Sequence, residues 1–599
     1  MDEKLIIANC SGFYGDRFSA AREMVEGGPI DVLTGDYLAE LTMAILFRKT
    51  LKNPQEGYAD TFLRQMEIVM GTCLSRNIKV VTNAGGLNPR GLAAALKVLA
   101  EKLGLKPRIA WIEGDHLLPD MAELQKKGEG FRHMDSGREL KDDEAMMVTA
   151  NAYLGGWGIT RSLQEGADIV VGGRIADASL VSGPAAWKFQ WKENDWDKLA
   201  GAVSAGHIIE CGTHATGGNF SFMEDIDSYS HMGFPIAEMY PDGSSVITKH
   251  PGTGGLVSCG TVTSQLLYEV RSPSYLTPDV IAHFDSLVIE KEGPDRVKVS
   301  GAKGSPPTDT LKVCINRVNG YRNMARFVLT GLDVPEKAVI VETMLFDGLG
   351  GRDMFDDVAV RMHGKAKLDP MRLDESHSFL EIAVRGKDAD LVCKHFPKTV
   401  VEMALCSIPG YTLGDLPGKG SPVIQHWPAL VSKDHVPTRV MLDDKTFTLP
   451  WIKTENRGDA FVKNHRGQVF QEPGIDERVI PGTLRLPLGR IMGARSGDKG
   501  GNANLGVWVK NPSAFGFLRK FLTVEKLKEL LPDTAAYPME RYEFPNLCAV
   551  NFYIRGYLGD GVASSLKGDP QAKTLGEYLR CKKVDIPLDI VDRTWIETE

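Results

Sequence analysis

The stretch Lys4-Leu-Ile-Ile-Ala-Asn-Cys-Ser-Gly-Phe-Tyr-Gly-Asp16 decides the prediction of the fold, because an apolar run passes directly into a polar, glycine-containing loop. Lys4–Ala8 predicts a strand, Asn9–Gly15 a loop and Asp16–Val25 an amphipathic helix. The same order of strand, polar loop and helix recurs through about the first 180 residues. Such a repeat is typical of βαβ units, so the sequence predicts an α/β fold whose large sheet is mostly parallel and covered by helices.

Later units of the series give further strands and one well-bounded helix. The strands are predicted at Ile30–Leu33, Lys79–Thr82, Arg108–Ile112 and Ala167–Val171. The helix begins after Asn88, with Pro89 in its first turn and Gly104 just past its end. This order fits the preferences of asparagine for N-caps, proline for the first turn and glycine for the residue after a helix.

The pattern changes near residue 200, where shorter extended segments replace the alternation of strand and helix. Strands are predicted there at Val297–Val299, Lys337–Thr343 and Phe379–Val384. We therefore place a large α/β domain at 1–443, with a subdivision near residue 200 left open, and an irregular linker at 444–482. A small α+β domain with the order ββαββα follows at 483–599.

Composition limits the classes of partner. The 599 residues include 70 Lys and Arg against 78 Asp and Glu, a net charge of −8, which argues against nucleic acid held on a basic face. The mean hydropathy is −0.17, and no apolar run approaches the roughly 18 residues of a membrane-spanning helix, so no membrane partner is predicted. The first residues do not resemble a signal peptide, and the nine cysteines include no C-x-x-C pair. We expect a cytoplasmic protein without a disulfide framework.

Polar residues at the predicted strand ends indicate a ligand site. They share a position at or just past the carboxyl end of a strand and are Asn9, Asp36, Asn83, Asp115, Arg174 and Asp177. In a parallel sheet these ends lie along one edge, where ligands bind. Helix capping is the alternative for the acids and amides, but a cation gains nothing at a helix N-terminus. We therefore expect Arg174 to bind an anionic ligand and Asp177 to orient it or to act as an acid or base.

The loop after the first strand matches a dinucleotide fingerprint only in part. Gly12 and Gly15 are present, but the full pattern is G-x-G-x-x-G. Asp16 at the helix start would repel a pyrophosphate, so NAD is disfavoured. Gly12 is kept as a candidate for contact with a different ligand, beside the alternative that both glycines only permit a tight turn.

The segment 206–219 holds the densest group of reactive side chains. Four alternatives stay open: zinc held by His207, Cys211 and His214; a Cys211 thiolate activated by His214; Glu210 as a general acid or base; and a glycine-rich loop that lines a site without chemistry of its own. A thiolate needs a nearby base or cation. A carboxyl beside apolar residues can have its pKa raised by burial, which suits proton transfer near neutral pH.

Glycine-rich loops offer backbone N–H groups to an anion. Two such pairs are Gly217 with Gly218 and Gly254 with Gly255. A third loop, Arg495-Ser-Gly-Asp-Lys-Gly-Gly501, predicts an anion-binding nest; its binding candidates are Arg495, Ser496, Asp498 and Lys499. It lacks the G-x-x-x-x-G-K-[ST] pattern of nucleoside triphosphate hydrolysis. A hairpin or tight turn without a ligand is the alternative for each loop.

Several long motifs in order resemble those of the acyclic terpene utilisation AtuA family. They are Asn9-Cys-Ser-Gly-Phe-Tyr-Gly-Asp-Arg17, Ala150-Asn-Ala-Tyr-Leu-Gly155, Gly173-Arg-Ile-Ala-Asp-Ala178, Glu210-Cys-Gly212 with Gly217-Gly218, and Gly252-Thr-Gly-Gly-Leu256. Ala494-Arg-Ser-Gly-Asp-Lys-Gly500 and Asn504-Leu-Gly-Val507 resemble the family's C-terminal ferredoxin-fold domain. The resemblance implies a cytosolic bacterial or fungal protein of citronellol- and geraniol-type catabolism, which runs on CoA thioesters. It implies no catalytic residues.

The combined expectation is an enzyme that acts on a branched, terpenoid-derived acyl-CoA or related carboxylate, as a hydratase or lyase using acid–base chemistry. Glu210, Cys211, His214 and Asp177 are the catalytic candidates. No metal and no resident cofactor is predicted, since CoA enters as part of the substrate, and we expect a homo-oligomer. The alternative is a non-catalytic accessory or assembly subunit of an acyl-CoA carboxylase; the chain lacks the A-M-K-M motif of a biotin carrier.

Overall fold

The computed structural model describes residues 4–140, 145–405, 407–451 and 482–591. Its first strands, numbered in chain order, are β1 (Leu5–Asn9), β2 (Val32–Gly35), β3 (Lys79–Thr82), β4 (Ile109–Glu113), β5 (Met146–Ala152), β6 (Ile169–Gly172), β7 (Pro235–Met239), β8 (Ser245–Lys249), β9 (Ser274–Leu276), β10 (Ile281–His283), β11 (Val288–Gly293), β12 (Arg296–Ser300) and β13 (Lys303–Ser305). The later strands are β14 (Thr310–Thr330), β15 (Asp357–His363), β16 (His377–Gly386), β17 (Tyr411–Asp415), β18 (Ser421–Ser432), β19 (Thr438–Leu442), β20 (Lys445–Leu449), β21 (Thr483–Pro487), β22 (Met492–Lys499), β23 (Asn502–Val509), β24 (Met539–Phe544), β25 (Ala549–Ile554) and β26 (Lys583–Pro587).

The α-helices are α1 (Ala20–Glu26), α2 (Glu40–Lys52), α3 (Asp60–Ser75), α4 (Pro89–Lys102), α5 (Met121–Lys126), α6 (Trp157–Gln164), α7 (Ser179–Phe189), α8 (Trp196–Ile209), α9 (Cys259–Leu266), α10 (Val334–Gly348), α11 (Phe396–Glu402), α12 (Phe515–Phe521), α13 (Val524–Leu530) and α14 (Leu575–Arg580). The start of α4 follows the sequence: the Asn88 side chain accepts a hydrogen bond from the Gly91 amide, and Pro89 is the first helical residue. In the described chain no helix is long and apolar enough to cross a membrane.

The largest sheet has the strand order β11-β12-β8-β7-β1-β2-β3-β6-β4-β19-β20. The central strands β1, β2, β3, β6 and β4 pair in parallel, which agrees with the alternation of strand and helix. The outer pairings on both sides are antiparallel, so the prediction of a mostly parallel sheet is wrong beyond this centre. Outer strands such as β7 and β8 form hairpins. Antiparallel strands can be joined by a short turn, whereas parallel strands need a longer crossover, usually a helix.

Helices cover both faces of the parallel centre. Neighbouring residues of a strand point to opposite faces. Leu33 packs in one buried cluster with Phe62 of α3 and Leu96 of α4. Val32 packs in another, which holds residues of α6 and α8 such as Ile159 and Val203. The carboxyl ends of the central strands carry buried polar residues, among them Asn9, Asp36 and Asn83.

A second sheet is built around the long strand β14, which pairs with β16, β17, β18 and β5. The pairing of β14 with β5 fixes this sheet beside the loop that follows β5. The predicted strand at Lys337–Thr343 is wrong, because this segment lies inside helix α10. There Val341 and Leu345, four residues apart, are both fully buried on one helical face.

The C-terminal domain contains the antiparallel sheet β22-β23-β25-β24 and a separate pair, β21 with β26. Helices α12 and α13 join β23 to β24, and α14 follows β25, as the order ββαββα predicts. The pair β21 with β26 was not foreseen. Of the predicted linker 444–482, Lys445–Leu449 forms β20 in a hairpin with β19, whereas 452–481 lies outside the described residues.

Candidate active site

The structure brings together the polar residues predicted at the strand ends. The Asn83 side chain donates a 2.6 Å hydrogen bond to Asp36 Oδ1, and the Arg174 amide donates a 2.9 Å bond to Asp115 Oδ2. Asn9 lies on the same edge and donates to the backbone oxygens of Ile209 and Glu210. Asn9 therefore fastens the end of α8 to the end of β1, which places Glu210 at this edge.

Two of the strand-end acids lie fully inside the protein. Burial, then the charge of Asp177, raises the pKa of Asp36 well above its ordinary value. Burial also raises the pKa of Asp115, which accepts a 2.8 Å hydrogen bond from Asn151. Asn83 also accepts a hydrogen bond from the Tyr37 amide. The hydrogen bonds of Asp115 and Asn83 therefore stabilise the loops at the strand ends.

Arg174 and Asp177 form the ion pair at the centre of the site. Arg174 Nη1 lies 2.5 Å from Asp177 Oδ1, and the arginine side chain is 3% exposed against 28% for the aspartate. The guanidinium carbon lies 4.1 Å from the centroid of the Tyr153 ring, a cation–π contact. Arg174 Nε is buried without a hydrogen-bond partner in the described chain. The pair thus presents one accessible carboxylate over a buried cation.

Glu210, which follows α8, forms a second acidic group beside this pair. Its Oε1 lies 3.0 Å from Nδ1 of His207, and Oε2 is buried without a described partner. Burial, followed by the charges of Asp177 and Glu269, raises the pKa of Glu210 well above its ordinary value. Burial lowers the pKa of His207 to about 4. Burial therefore favours the protonated form of Glu210.

The contacts of Cys211 and His214 do not form a thiolate dyad. Burial, then the charges of Glu269 and Glu210, raises the pKa of Cys211 well above its ordinary value. His214 Nδ1 lies 2.8 Å from Nη2 of Arg495 and is occupied by that contact. Burial and Arg495 hold the pKa of His214 well below its ordinary value. The local chemistry favours a neutral thiol beside a neutral imidazole.

The zinc alternative finds no geometric support in this segment. His207 turns to the Glu210 carboxyl and His214 turns to the Arg495 guanidinium. Across the residues with described positions, no three His, Cys, Asp or Glu side chains are grouped to hold a metal ion. The spacing H-x3-C-x2-H therefore places its members in separate contacts.

The hairpin β22–β23 carries the predicted anion-binding residues into this site. Arg495 is 2% exposed, and its guanidinium carbon lies 3.9 Å from the centroid of the Tyr268 ring. Burial and Glu269 raise the pKa of Asp498, and the charge of Lys499 acts on both His207 and Glu210. Ser496 differs, because its hydroxyl accepts the Gly576 amide and so holds the start of α14.

The predicted glycine loops mostly use their backbone N–H groups within the protein. The Gly217 and Gly218 amides donate to the Thr213 carbonyl oxygen. The Gly254 amide donates to His231 and the Gly255 amide to Ser228. A Cβ on Gly255 would lie 2.4 Å from the Thr216 carbonyl oxygen, and its φ is +82°, so glycine permits the two loops to touch.

Gly12 serves the same purpose at the other side of the site. A Cβ there would lie 2.7 Å from the backbone carbonyl carbon of Cys211. The Gly12 amide donates a 2.7 Å hydrogen bond to Asp16 Oδ2, so the loop after β1 is closed by its own acid. Gly12 lets this loop approach the Glu210–His214 segment.

Sequence reasoning missed a polar group that helix α2 and the β14 sheet form together. Glu40 accepts hydrogen bonds from Tyr153 at 3.0 Å and from Lys312 at 3.1 Å. Although burial favours its neutral form, Lys312 and His426 hold the pKa of Glu40 well below its ordinary value. Glu40 and Lys312 keep 28% and 26% of their side chains exposed, and Lys312 contacts the same Tyr153 ring as Arg174. The lysine within the apolar run of β14 was the one sequence signal for this group.

A small cavity behind the site is separate from it. Trp157, Asp279, Lys433 and Trp451 contribute to its walls, and the centre of a water-sized sphere can occupy about 20 Å³ of it. This is space for one or two water molecules and not for a substrate. Asp279 accepts the Gly156 amide at 2.7 Å and so supports the helix behind Arg174.

Comparisons with known proteins agree with the motifs. The family model described as acyclic terpene utilisation family protein AtuA matches residues 5–442. A second model, described as AtuA ferredoxin-like domain, matches residues 486–585. Comparison with curated proteins gives no match, and neither does comparison with solved structures. The first match spans most of the chain, and the two together confirm the resemblance and the ferredoxin-like C-terminal domain.

Proposed function

Because the chain belongs to the acyclic terpene utilisation AtuA family, we propose that it is an enzyme that acts on a branched, terpenoid-derived acyl-CoA or a related carboxylate. The proposed reaction is a hydration or its reverse, with proton transfers beside the thioester or carboxyl carbon. Such chemistry needs one group that gives a proton and one that takes it, both within reach of adjacent carbon atoms.

The observation that carries this proposal is the presence of two carboxyl groups in unlike environments at one edge of the sheet. Glu210 is buried and disposed to stay protonated, whereas Asp177 is partly exposed and paired with Arg174. One buried carboxyl group near one partly exposed carboxyl group is an arrangement that enzymes use for an acid and a base. Glu210 is thus the proposed acid and Asp177 the proposed base.

In the direction of dehydration, Asp177 takes the proton from the carbon next to the carbonyl. The electron pair forms the new double bond, the carbon–oxygen bond to the hydroxyl breaks, and Glu210 supplies a proton to the departing oxygen, which leaves as water. Negative charge that develops on the carbonyl oxygen is stabilised by the cations on this edge, Arg174 and Lys499. His207, 3.0 Å from Glu210, positions that carboxyl.

The test compares Glu210→Gln with Glu224→Gln, an exposed glutamate of the following loop. Turnover is assayed on geranyl-type and 3-hydroxy-3-methylglutaryl-type acyl-CoAs and their free acids, after thermal-shift screening of the same compounds. We expect Glu210→Gln to lose roughly 10²–10⁴-fold in turnover with an unchanged circular dichroism spectrum, and Glu224→Gln to match the wild type. Equal activity of both variants, or no binding of any compound, would favour an accessory subunit.

A further inference from the structure

We propose that Arg495 binds a free carboxylate of the substrate at the buried end of the candidate active site. This inference rests on the proposed function and narrows its substrate to an acid that keeps an unesterified carboxylate. A half-thioester of a branched dicarboxylic acid and a branched free acid both meet this condition. A simple monocarboxylic acid that is fully esterified to coenzyme A does not.

The first argument is the cost of a buried cation without a counterion. Arg495 is 2% exposed, and no carboxylate of the described chain lies within ion-pair distance of it. An isolated charge away from water is strongly unfavourable unless an opposite charge compensates it. The other buried arginine of the site, Arg174, has such a partner in Asp177. The charge of Glu269 acts on Arg495 but forms no ion pair with it, so the missing contact partner of Arg495 is assigned to a ligand.

The second argument is that the guanidinium is held in a fixed orientation with donors to spare. Nη2 contacts His214 Nδ1 at 2.8 Å, and the Tyr268 ring lies 3.9 Å from the guanidinium carbon. Gly497 allows this stacking, since a Cβ there would lie 2.3 Å from the tyrosine ring. Nε and Nη1 are buried without a described partner. Nε and Nη1 lie on opposite edges of the guanidinium, so a carboxylate pairs its two oxygens with one of them and with the second N–H of Nη2.

The position of Arg495 also favours a carboxylate as its ligand over a phosphate of coenzyme A. Arg495 lies inside the protein, whereas Lys499 and Lys573 are partly exposed. The diphosphate of coenzyme A is joined to a bulky nucleotide, which needs an open surface. A guanidinium binds carboxylate and phosphate alike, so the burial of Arg495, and not the type of cation, carries this distinction. We therefore assign the buried cation to the acyl part of the substrate.

The test measures the thermal unfolding of the full chain with isovalerate, its neutral analogue isovaleramide, and inorganic phosphate, all at constant ionic strength. Isovalerate is a branched carboxylate small enough to reach a buried arginine. We expect isovalerate to raise the Tm of the wild type once the isovalerate concentration exceeds the Kd of the complex. Isovaleramide should leave the Tm unchanged. In Arg495→Gln the apparent Kd for isovalerate rises by roughly tenfold or more.

Matched variants control for general effects. Arg519→Gln removes an exposed arginine of the same domain that is paired with Glu543, and it retains the isovalerate shift. If Arg495→Gln does not fold, Arg495→Lys serves instead: it keeps the charge, loses the planar fork and weakens isovalerate binding. An equal shift in Arg495→Gln and wild type, a shift by phosphate that exceeds that of isovalerate, or no shift at all overturns the proposal.

The experiments distinguish failure of the Arg495 proposal from failure of the proposed function. Glu210→Gln keeps the isovalerate shift, because Glu210 is assigned to proton transfer and not to this anion. If Arg495→Gln turns over a fully esterified acyl-CoA as well as the wild type does, the carboxylate assignment fails while the enzyme proposal stands. If Glu210→Gln is as active as the wild type, the acid–base assignment fails, and the isovalerate experiment still decides the role of Arg495.

Discussion

Arg495 Nη2 lies 2.8 Å from His214 Nδ1, across 281 residues of sequence. A guanidinium only donates hydrogen bonds, so Nδ1 must accept, and His214 is then a neutral imidazole with its proton on Nε2. The contact joins the ferredoxin-like domain to the segment that carries Glu210 and Cys211. The candidate active site is therefore built by both domains, and neither supplies all of its charged groups.

Replacement of Asp177 by asparagine tests the proposed base. Asp177→Asn preserves the shape of the side chain but removes the charge that faces Arg174 at 2.5 Å. We expect turnover to fall roughly 10²–10⁴-fold and the free energy of unfolding to fall by about 2 kcal/mol, because Arg174 keeps a buried charge without its partner. Steady-state kinetics and urea unfolding measure the two effects. Asp227→Asn, at an exposed position, is the control and should change neither.

The environment of Cys211 predicts that its thiol is not a nucleophile. Burial and the nearby carboxyl groups raise its pKa, so little thiolate forms near neutral pH. Cys211→Ala and Cys211→Ser should each retain turnover within about threefold of the wild type, because a thiol that stays protonated supplies no nucleophile that the variants could lose. Slow labelling by iodoacetamide at pH 7 is the companion measurement. A loss of activity comparable to that of Glu210→Gln would restore the thiol to the mechanism.

The loop after β1 gives a steric prediction with a control in the same loop. In Gly12→Ala the new methyl group meets the Cys211 backbone at 2.7 Å, and two backbone segments must move apart. We expect a loss of about 1–3 kcal/mol in the free energy of unfolding, as in other overpacked sites, together with weaker activity. A methyl group on Gly15 meets only the side chain of Phe13, which is 56% exposed, so Gly15→Ala should be tolerated. Urea unfolding of both variants decides the point, and equal stabilities would contradict it.

His426 predicts how stability depends on pH. Burial lowers its pKa in the folded protein to about 4, against 6.5 for the free side chain. The unfolded chain therefore binds the proton first, and stability that is full above pH 6.5 is lost as the pH falls toward 4, by up to about 3 kcal/mol. In His426→Gln the free energy of unfolding should fall less between pH 7 and pH 5 than in the wild type. Identical slopes in the two proteins would show that His426 does not titrate in this way.

The local features of the chain were predictable because their causes are local. Apolar runs, the cap at Asn88 and the polar residues after each strand gave the parallel centre of the sheet and the edge that holds Arg174 and Asp177. The predicted strand at Lys337–Thr343 lies in helix α10, because a short apolar run is compatible with both the helical and the strand periodicity. Only the packing of the folded chain distinguishes the two.

The sequence by itself determined the family, the ferredoxin-like domain and the strand ends at which the charged groups gather. Only the tertiary structure decided that the outer strands run antiparallel, that Lys312 pairs with Glu40, and that Arg495 contacts His214. Propensity and capping act within a few residues, whereas the partner of a buried charge is set by chain segments hundreds of residues away. The charge of Arg495 is visible in the sequence, but its burial without an ion-pair contact, which makes it a candidate ligand site, exists only in the folded protein.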